Sequence, residues 1–215
     1  ILAKGTKIVA NAGGVNPDGC AKALRDLAAR EGLSPRIAVV HGDNLADRVE
    51  AFRAEGLRDM FDGKPFPEGD VLCTNVYLGA FPIAKALQAG ADIVITGRVA
   101  DSAMALGPLI AEFGWKESDH DLLAAGTLAG HLLECGCHAT GGTFPDWRDV
   151  VDGWADMGYP IAECGADGRF VMTKPENTGG LVSVATVAEQ MLYEISDPQT
   201  YTVADVVCDF SGVTM

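Results

Sequence analysis

No apolar run in this sequence approaches the roughly 20 residues that a helix needs to cross a bilayer, so a membrane-spanning helix is not expected. The opening ILAKGTK does not read as a secretory leader either. Basic residues are scarce: 16 Lys and Arg stand against 30 Asp and Glu, a net charge of -14, and they are scattered along the chain. A phosphate backbone would be repelled by such a surface, which argues against nucleic acid as a partner. Cysteine is sparse, with six residues too irregularly spaced for a disulfide scaffold. Cys20, Cys73 and Cys208 lie in apolar or helical stretches, read as free thiols in a reducing, cytoplasmic setting. The G-x-G-x-x-G fingerprint is missing, and no acidic residue closes the second strand where a ribose would need one, so NAD is not expected. Repeats and low-complexity tracts do not stand out. There is no initiating Met, and a strand pattern begins almost at once, so the chain is expected to be a segment of a longer protein.

What is present is ordinary globular chemistry, 48% hydrophobic and 21% charged over 215 residues, enough for one domain spanning 1–215 with a real core. Thr6 to Ala10 reads as a strand, followed by Asn11-Ala-Gly-Gly-Val-Asn-Pro17 and a helix from Asp18 to Glu31 with Leu24, Leu27 and Ala28 as its stripe. Ile37 to Val40 reads as a second strand, with Asp43 or Asn44 capping a helix through Glu55. Residues 59–70 are turn-rich, Val71 to Leu78 reads as a third strand, Ala80 to Ala89 as a helix, and Ile93 to Ile95 as a fourth strand. Alternation of this kind predicts an α/β three-layer sandwich with a mainly parallel sheet. A long helix is expected over Asp119 to Glu134. Residues 143–180 then read as an irregular excursion carrying Trp147 and Trp154, with a small antiparallel hairpin around Asp167-Gly168. A helix from Val184 to Ile195 and a last strand from Val203 to Phe210 close the chain.

Function is expected where strands hand over to helices. Thr96 and Gly97 lead into Arg98, Asp101 and Ser102, where unpaired helix-start N-H groups and the Arg98 fork suit a carboxylate or phosphate. The plainer alternative has Asp101 or Ser102 capping the helix and Arg98 pairing with Asp101. Asn11, Gly13, Gly14 and Asn16 form a glycine turn that lets backbone approach a ligand closely. His131, Glu134 and Cys135 fall at the end of the long helix and suit proton transfer, against the alternative of a satisfied core histidine beside an inert thiol. His138 extends the same spacing toward a metal reading, but Gly136 should break the helix and no second ligand pair matches, so no metal is expected. Lys174 beside Thr178-Gly179-Gly180 can bind an anion or simply be a solvated turn lysine.

Asn11-Ala-Gly-Gly-Val-Asn-Pro17, Thr96-Gly-Arg-Val-Ala-Asp-Ser102, Ala129-Gly-His-Leu-Leu-Glu-Cys-Gly136, Thr140-Gly-Gly142 and Thr173-Lys-Pro-Glu-Asn-Thr-Gly-Gly180 together resemble the acyclic terpene utilisation family, AtuA. The likeness runs over nearly the whole chain. It implies a place in citronellol and geraniol catabolism through branched acyl-CoA esters, with a hydratase or lyase step on a carboxylated acyl-CoA. From the residues themselves, with glycine turns and ionisable groups concentrated at the C-terminal ends of the predicted strands, His131, Glu134 or Asp101 would be the proton carriers. Asn11, Gly13, Gly14, Asn16, Arg98, Ser102, Cys135, Lys174 and Gly179 would bind the substrate, with no cofactor beyond that CoA ester. A non-catalytic binding or assembly subunit is the competing expectation, and a homo-oligomer or a partner subunit fits either.

Overall fold

The computed structural model describes residues 2–215, in which the chain divides into two compact units. The first comprises residues up to Leu78 together with Ala89–Val99; the second comprises Gly79–Gln88 and Ala100–Met215.

In the first unit, β1 (Ile8–Ala10), α1 (Pro17–Arg30), β2 (Ile37–Val40), the short α2 (Val49–Ala54) and, after the second unit's α3 (Phe81–Gln88), β3 (Ile93–Thr96) follow one another in the chain. The sheet order is β1-β3-β2, with β3 parallel to both neighbours: Val94 faces Val9 on one side and Ala38 on the other. An unbroken apolar run suits a strand buried on both faces, and Ile93, Val94, Ile95 and Thr96 are all buried. Helix α1 packs against β2 and β3, presenting Ala21 fully buried, with Leu24 and Ala28 half-buried. Leu27, expected on the same stripe, is 45% exposed.

The expected third strand, Val71 to Leu78, is not one. Its backbone is taken by the loop after β2: Leu45 N-H donates to the Thr74 carbonyl and Val76 N-H to the Asp43 carbonyl, both at 2.8 Å. Only single bridges form, Asn75 with Asn44 and Leu78 with Val99. Leu72 is fully exposed, so alternation there is not backed by a buried face. The sheet therefore has three strands where four were expected, and the helix expected through Glu55 shrinks to α2 behind a 3-10 turn at Ala46–Arg48.

The second unit is built mainly of helix on helix. It holds α3, α4 (Ala103–Phe113), α5 (His120–Glu134), the hairpin β4 (Ile161–Cys164) and β5 (Phe170–Thr173), α6 (Val184–Leu192), and the short pair β6 (Tyr201–Thr202) and β7 (Val207–Cys208). Helices α3 and α4, α4 and α5, and α5 and α6 pack in turn around Ile83, Leu106, Ile110, Leu123, Leu132 and Val187. The antiparallel hairpin around Asp167-Gly168 is present as expected, with Gly168 at φ 83°. The last strand expected over Val203 to Phe210 folds back in its middle: Val203 N-H donates to the Val206 carbonyl, making a turn between β6 and β7. That turn delivers Asp205 to the start of α3, where both carboxylate oxygens accept from Ala80 N-H at 2.9 Å. Burial pushes the Asp205 carboxyl up, and the Ala80 and Phe81 amides oppose that push. The combination is thus of helix with parallel and antiparallel strands; a three-layer sandwich extends beyond what either unit displays by itself.

At the N-terminal end of the three-stranded sheet Asp92 accepts from Lys7 Nζ at 2.8 Å and Arg36 N-H at 2.9 Å, tying the entries of all three strands. The Lys7 bond first, then the Arg36 amide, hold its carboxyl down at about 2. A folded-state value below the unfolded one adds stability that is full above the ordinary carboxylate range and lost as pH falls toward about 2. Asp92→Asn should therefore lower the melting temperature at pH 6, with the gap from wild type closing between pH 4 and pH 2 and narrowing in 1 M salt; a gap unchanged with pH in scanning calorimetry counts against this tie.

Candidate functional site

Two neighbourhoods collect the expected residues, one in each unit. The first lies at the C-terminal rim of the parallel sheet, where ligands of such sheets commonly sit. Gly13 comes down on the end of β3: a Cβ there would lie 2.5 Å from the Thr96 carbonyl oxygen and 2.7 Å from Pro17 Cα, so only glycine fits. Asn16 Oδ1 accepts from Gly19 N-H at 2.9 Å and caps α1, with Pro17 at its first position. Asn11 is exposed at the start of the turn, and Gly14 takes φ 50°.

Asp43, 4% exposed, crosslinks this rim. Its Oδ2 accepts from Arg98 N-H at 2.9 Å and from Asn75 Nδ2 at 2.8 Å, and its carboxylate fills the space that a side chain on Gly97 would need. Arg98 itself is exposed; its Nη2 donates to the Tyr77 hydroxyl at 2.9 Å while the guanidinium lies 5.1 Å above the Tyr77 ring. A cavity of about 290 Å³ opens here beside Asn16, Asp18, His41, Asp43 and Asn44, with His41 Nε2 at 3.4 Å from Asp18. Tyr77 belongs to no motif, and Asp43 reads in the sequence as a helix cap, a role the structure replaces with the bonds to Arg98 and Asn75. An acidic residue three positions past a strand reads like any turn aspartate until its partners are known.

The second neighbourhood belongs to the helical unit. Ser102 is the N-cap of α4 but takes a helical φ of -60° and makes no side-chain cap bond, so the simple capping role is not what buries it. Gly130 explains its burial: a Cβ on Gly130 would lie 2.7 Å from Ser102 Cα and 2.9 Å from its carbonyl carbon, so α5 rests directly on the first turn of α4. The next residue, His131, is fully buried. Its Nε2 is 3.0 Å from the Gln190 carbonyl oxygen, its Nδ1 is 2.9 Å from Glu134 Oε1, and Gln190 Nε2 donates back to the His131 carbonyl at 2.7 Å. The ring packs 5.8 Å from Tyr201.

Three carboxylates act on the same two groups. Burial first, then Glu134, Glu194 and Asp101, push the Cys135 thiol up against an opposing bond with Gln190. Burial first, then Glu134, the Cys208 sulfur, Asp101 and Glu194, push the Tyr201 phenol up as well. Both groups therefore keep their protons at neutral pH and act as hydrogen-bond donors rather than nucleophiles. Cys208 is pushed up to about 11 by burial. Asp101, Glu134 and Cys135 thus share one acidic neighbourhood with His131, joined by Gln190, Glu194 and Tyr201. A cavity of about 800 Å³ opens beside it, lined by Leu133, Glu134, Cys135, Cys137, Tyr159 and Pro160. Gln190 and Tyr201 lie 59 and 70 positions beyond His131, and neither sits in a motif, so only packing reveals them.

Lys174 and Gly179 are used locally. Lys174 Nζ donates to the Thr178 carbonyl at 2.7 Å within its own turn. Gly179 meets the backbone of Gly153, where a Cβ would lie 2.9 Å from Gly153 Cα, and its N-H donates to Asp156 at 2.7 Å. His138 stands edge-on to Tyr193 at 4.8 Å, and among the described residues no group of three or more His, Cys, Asp or Glu side chains is placed to hold a metal ion. No described helix is long and apolar enough to cross a membrane.

A family model described as acyclic terpene utilisation family protein AtuA matches residues 1–215. No curated protein and no solved structure matches the chain.

The α4–α5 contact is backbone on backbone and has no flexible partner to yield. Gly130→Ala should cost about 1–3 kcal/mol, typical of overpacking, and lower the melting temperature by several degrees; a variant as stable as wild type in denaturant melts would show that α5 does not rest on Ser102 in this way.

Proposed function

The chain belongs to the acyclic terpene utilisation family AtuA, and we propose that it works in that catabolism as a hydratase or lyase on a branched, carboxylated acyl-CoA ester. The observation that carries the reading is the convergence of Asp101, Glu134, Cys135 and Tyr201 around buried His131 in one unit, with a cavity at Glu134. Glu134, whose side chain is 12% exposed, is the group within reach of a ligand. In the hydration direction Glu134 takes a proton from water as the water oxygen bonds to the β-carbon of an unsaturated thioester, and the electron pair of the double bond moves onto the thioester oxygen. The carboxyl proton then passes to the α-carbon as that electron pair returns to form the C–H bond. Tyr201 and Cys135, both holding their protons, supply hydrogen bonds to the developing enolate oxygen.

Three carboxylates around this point disfavour a further anion beside Glu134. The uncharged thioester end of the substrate therefore belongs there, and its carboxylate and phosphates belong elsewhere. Titration calorimetry of the full-length protein with branched acyl-CoA esters should give binding, and Glu134→Gln should lower kcat by about 10²–10⁴ with KM changed only a few-fold. Folded wild-type protein that binds none of the esters removes the proposal.

A second reading, a binding or assembly subunit, is favoured by Met60 and Phe61, which are 85% and 88% exposed. They ride on a turn fixed by Asp59, whose Oδ1 accepts from Phe61 N-H at 2.8 Å and Asp62 N-H at 2.9 Å. On this reading Met60→Ser/Phe61→Ser strips a co-purifying partner while the folded chain stays intact; on the enzymatic one the double variant turns over esters as wild type does.

A further inference from the structure

The partners of the His131 ring fix where its protons are. The Gln190 carbonyl oxygen can only accept, so Nε2, 3.0 Å away, carries a hydrogen. In a neutral ring that leaves Nδ1 as a bare acceptor, and it is a buried one with no conventional hydrogen-bond partner. Yet Nδ1 lies 2.9 Å from Glu134 Oε1. Two bare acceptors do not sit at that distance in a buried place, because each would lose its water and gain only repulsion. A second proton, on the ring or on the carboxyl group, removes that repulsion.

We propose that His131 is a positioning residue which holds that second proton between its Nδ1 and Glu134, fixing the carboxyl group at the cavity wall and leaving Glu134 as the group that exchanges protons with a ligand. His131 cannot do the exchange itself: it is fully buried, and its other nitrogen is held by a backbone carbonyl. The ring is held by the Gln190 carbonyl and by Tyr201, and the His131 backbone carbonyl by the Gln190 side chain. The charged and titratable groups around the pair are Asp101 at the start of α4, Cys135 at the end of α5, Glu194 after α6, and Tyr201 on β6. Asp101 and Glu194 are the two added carboxylates among them. When Glu134 takes a proton from a ligand carbon, the C–H bond breaks, its electron pair stays with the ligand, and the shared proton settles on Nδ1. Histidine thereby balances the charge without touching the ligand.

This deepens the function proposed above and rests on it only for the ligand; the proton is read with none present. The test is long-range ¹H–¹⁵N correlation on the whole chain labelled at its four histidines, at pH 7, with His131→Gln assigning the signal. The expected result is a ring with Nε2 protonated and Nδ1 shifted well away from a bare acceptor, and in Glu134→Gln a return of Nδ1 to the acceptor position with Nε2 unchanged. A wild-type ring with bare Nδ1, or one protonated at Nδ1 and bare at Nε2, overturns the proposal, and the wild-type spectrum decides this even if the variants fold poorly. An Nδ1 signal indifferent to Glu134→Gln also overturns it. Failure of acyl-CoA binding in calorimetry leaves this spectrum as expected, so the two readings fail separately.

Discussion

The helical unit depends on one close approach, the seating of Gly130 on the backbone of Ser102. Without a side chain at that position α5 can lie directly on the first turn of α4, which brings the His131–Glu134 end of one helix to the Asp101–Ser102 start of the other. Packing density decides this rather than any bond, because interiors leave no room for even a methyl group where two backbones already touch. Everything acidic about the site follows. Asp101 arrives from α4, Glu134 from α5 and Glu194 from the residue pair beyond α6, and their fields meet at Cys135 and Tyr201.

That acidity gives the groups their division of labour. A thiol and a phenol pushed up by burial and by carboxylates stay protonated and keep a hydrogen to donate. A buried histidine clamped on a carbonyl can only hold. Glu134 is left at the cavity with both an open face and a fixed partner. In the sequence these roles are blurred, since a histidine beside a glutamate suggests that the histidine moves the proton. The structure buries the histidine and leaves the glutamate at the cavity wall.

Legibility followed the range of the interaction. Periodicity within a segment placed α1, α5, α6 and the Asp167-Gly168 hairpin to within a few residues, because local pattern and final burial agree there. It failed at Val71–Leu78 and at Val203–Phe210, where the right residue types for a strand are present but the backbone partners are loops and a turn. The β-propensity of those runs describes a surface that never forms. His131, Glu134, Asp101 and Cys135 were legible as candidates from residue type at helix ends. Gln190, Tyr201 and Asp43 were not, since each owes its place to contacts made across tens of residues.

The glycines are where expectation and structure differ most usefully. Gly13, Gly97, Gly130 and Gly179 sit in the motifs that suggested ligand cradles, and each is occupied by the chain itself: the Thr96 carbonyl, the Asp43 carboxylate, the Ser102 backbone and the Gly153 backbone respectively. A glycine required by a neighbouring backbone leaves the same trace in a sequence as one required by a phosphate, because both demand the absence of Cβ. With those spaces filled from within, the side chains of these regions that still reach open space are the Arg98 guanidinium shelved on Tyr77 in one unit and Glu134 at its cavity in the other. Gly97 and Gly130 then act as joints directly before Arg98 and His131, and Gly13 as one three residues before Asn16, the cap of α1.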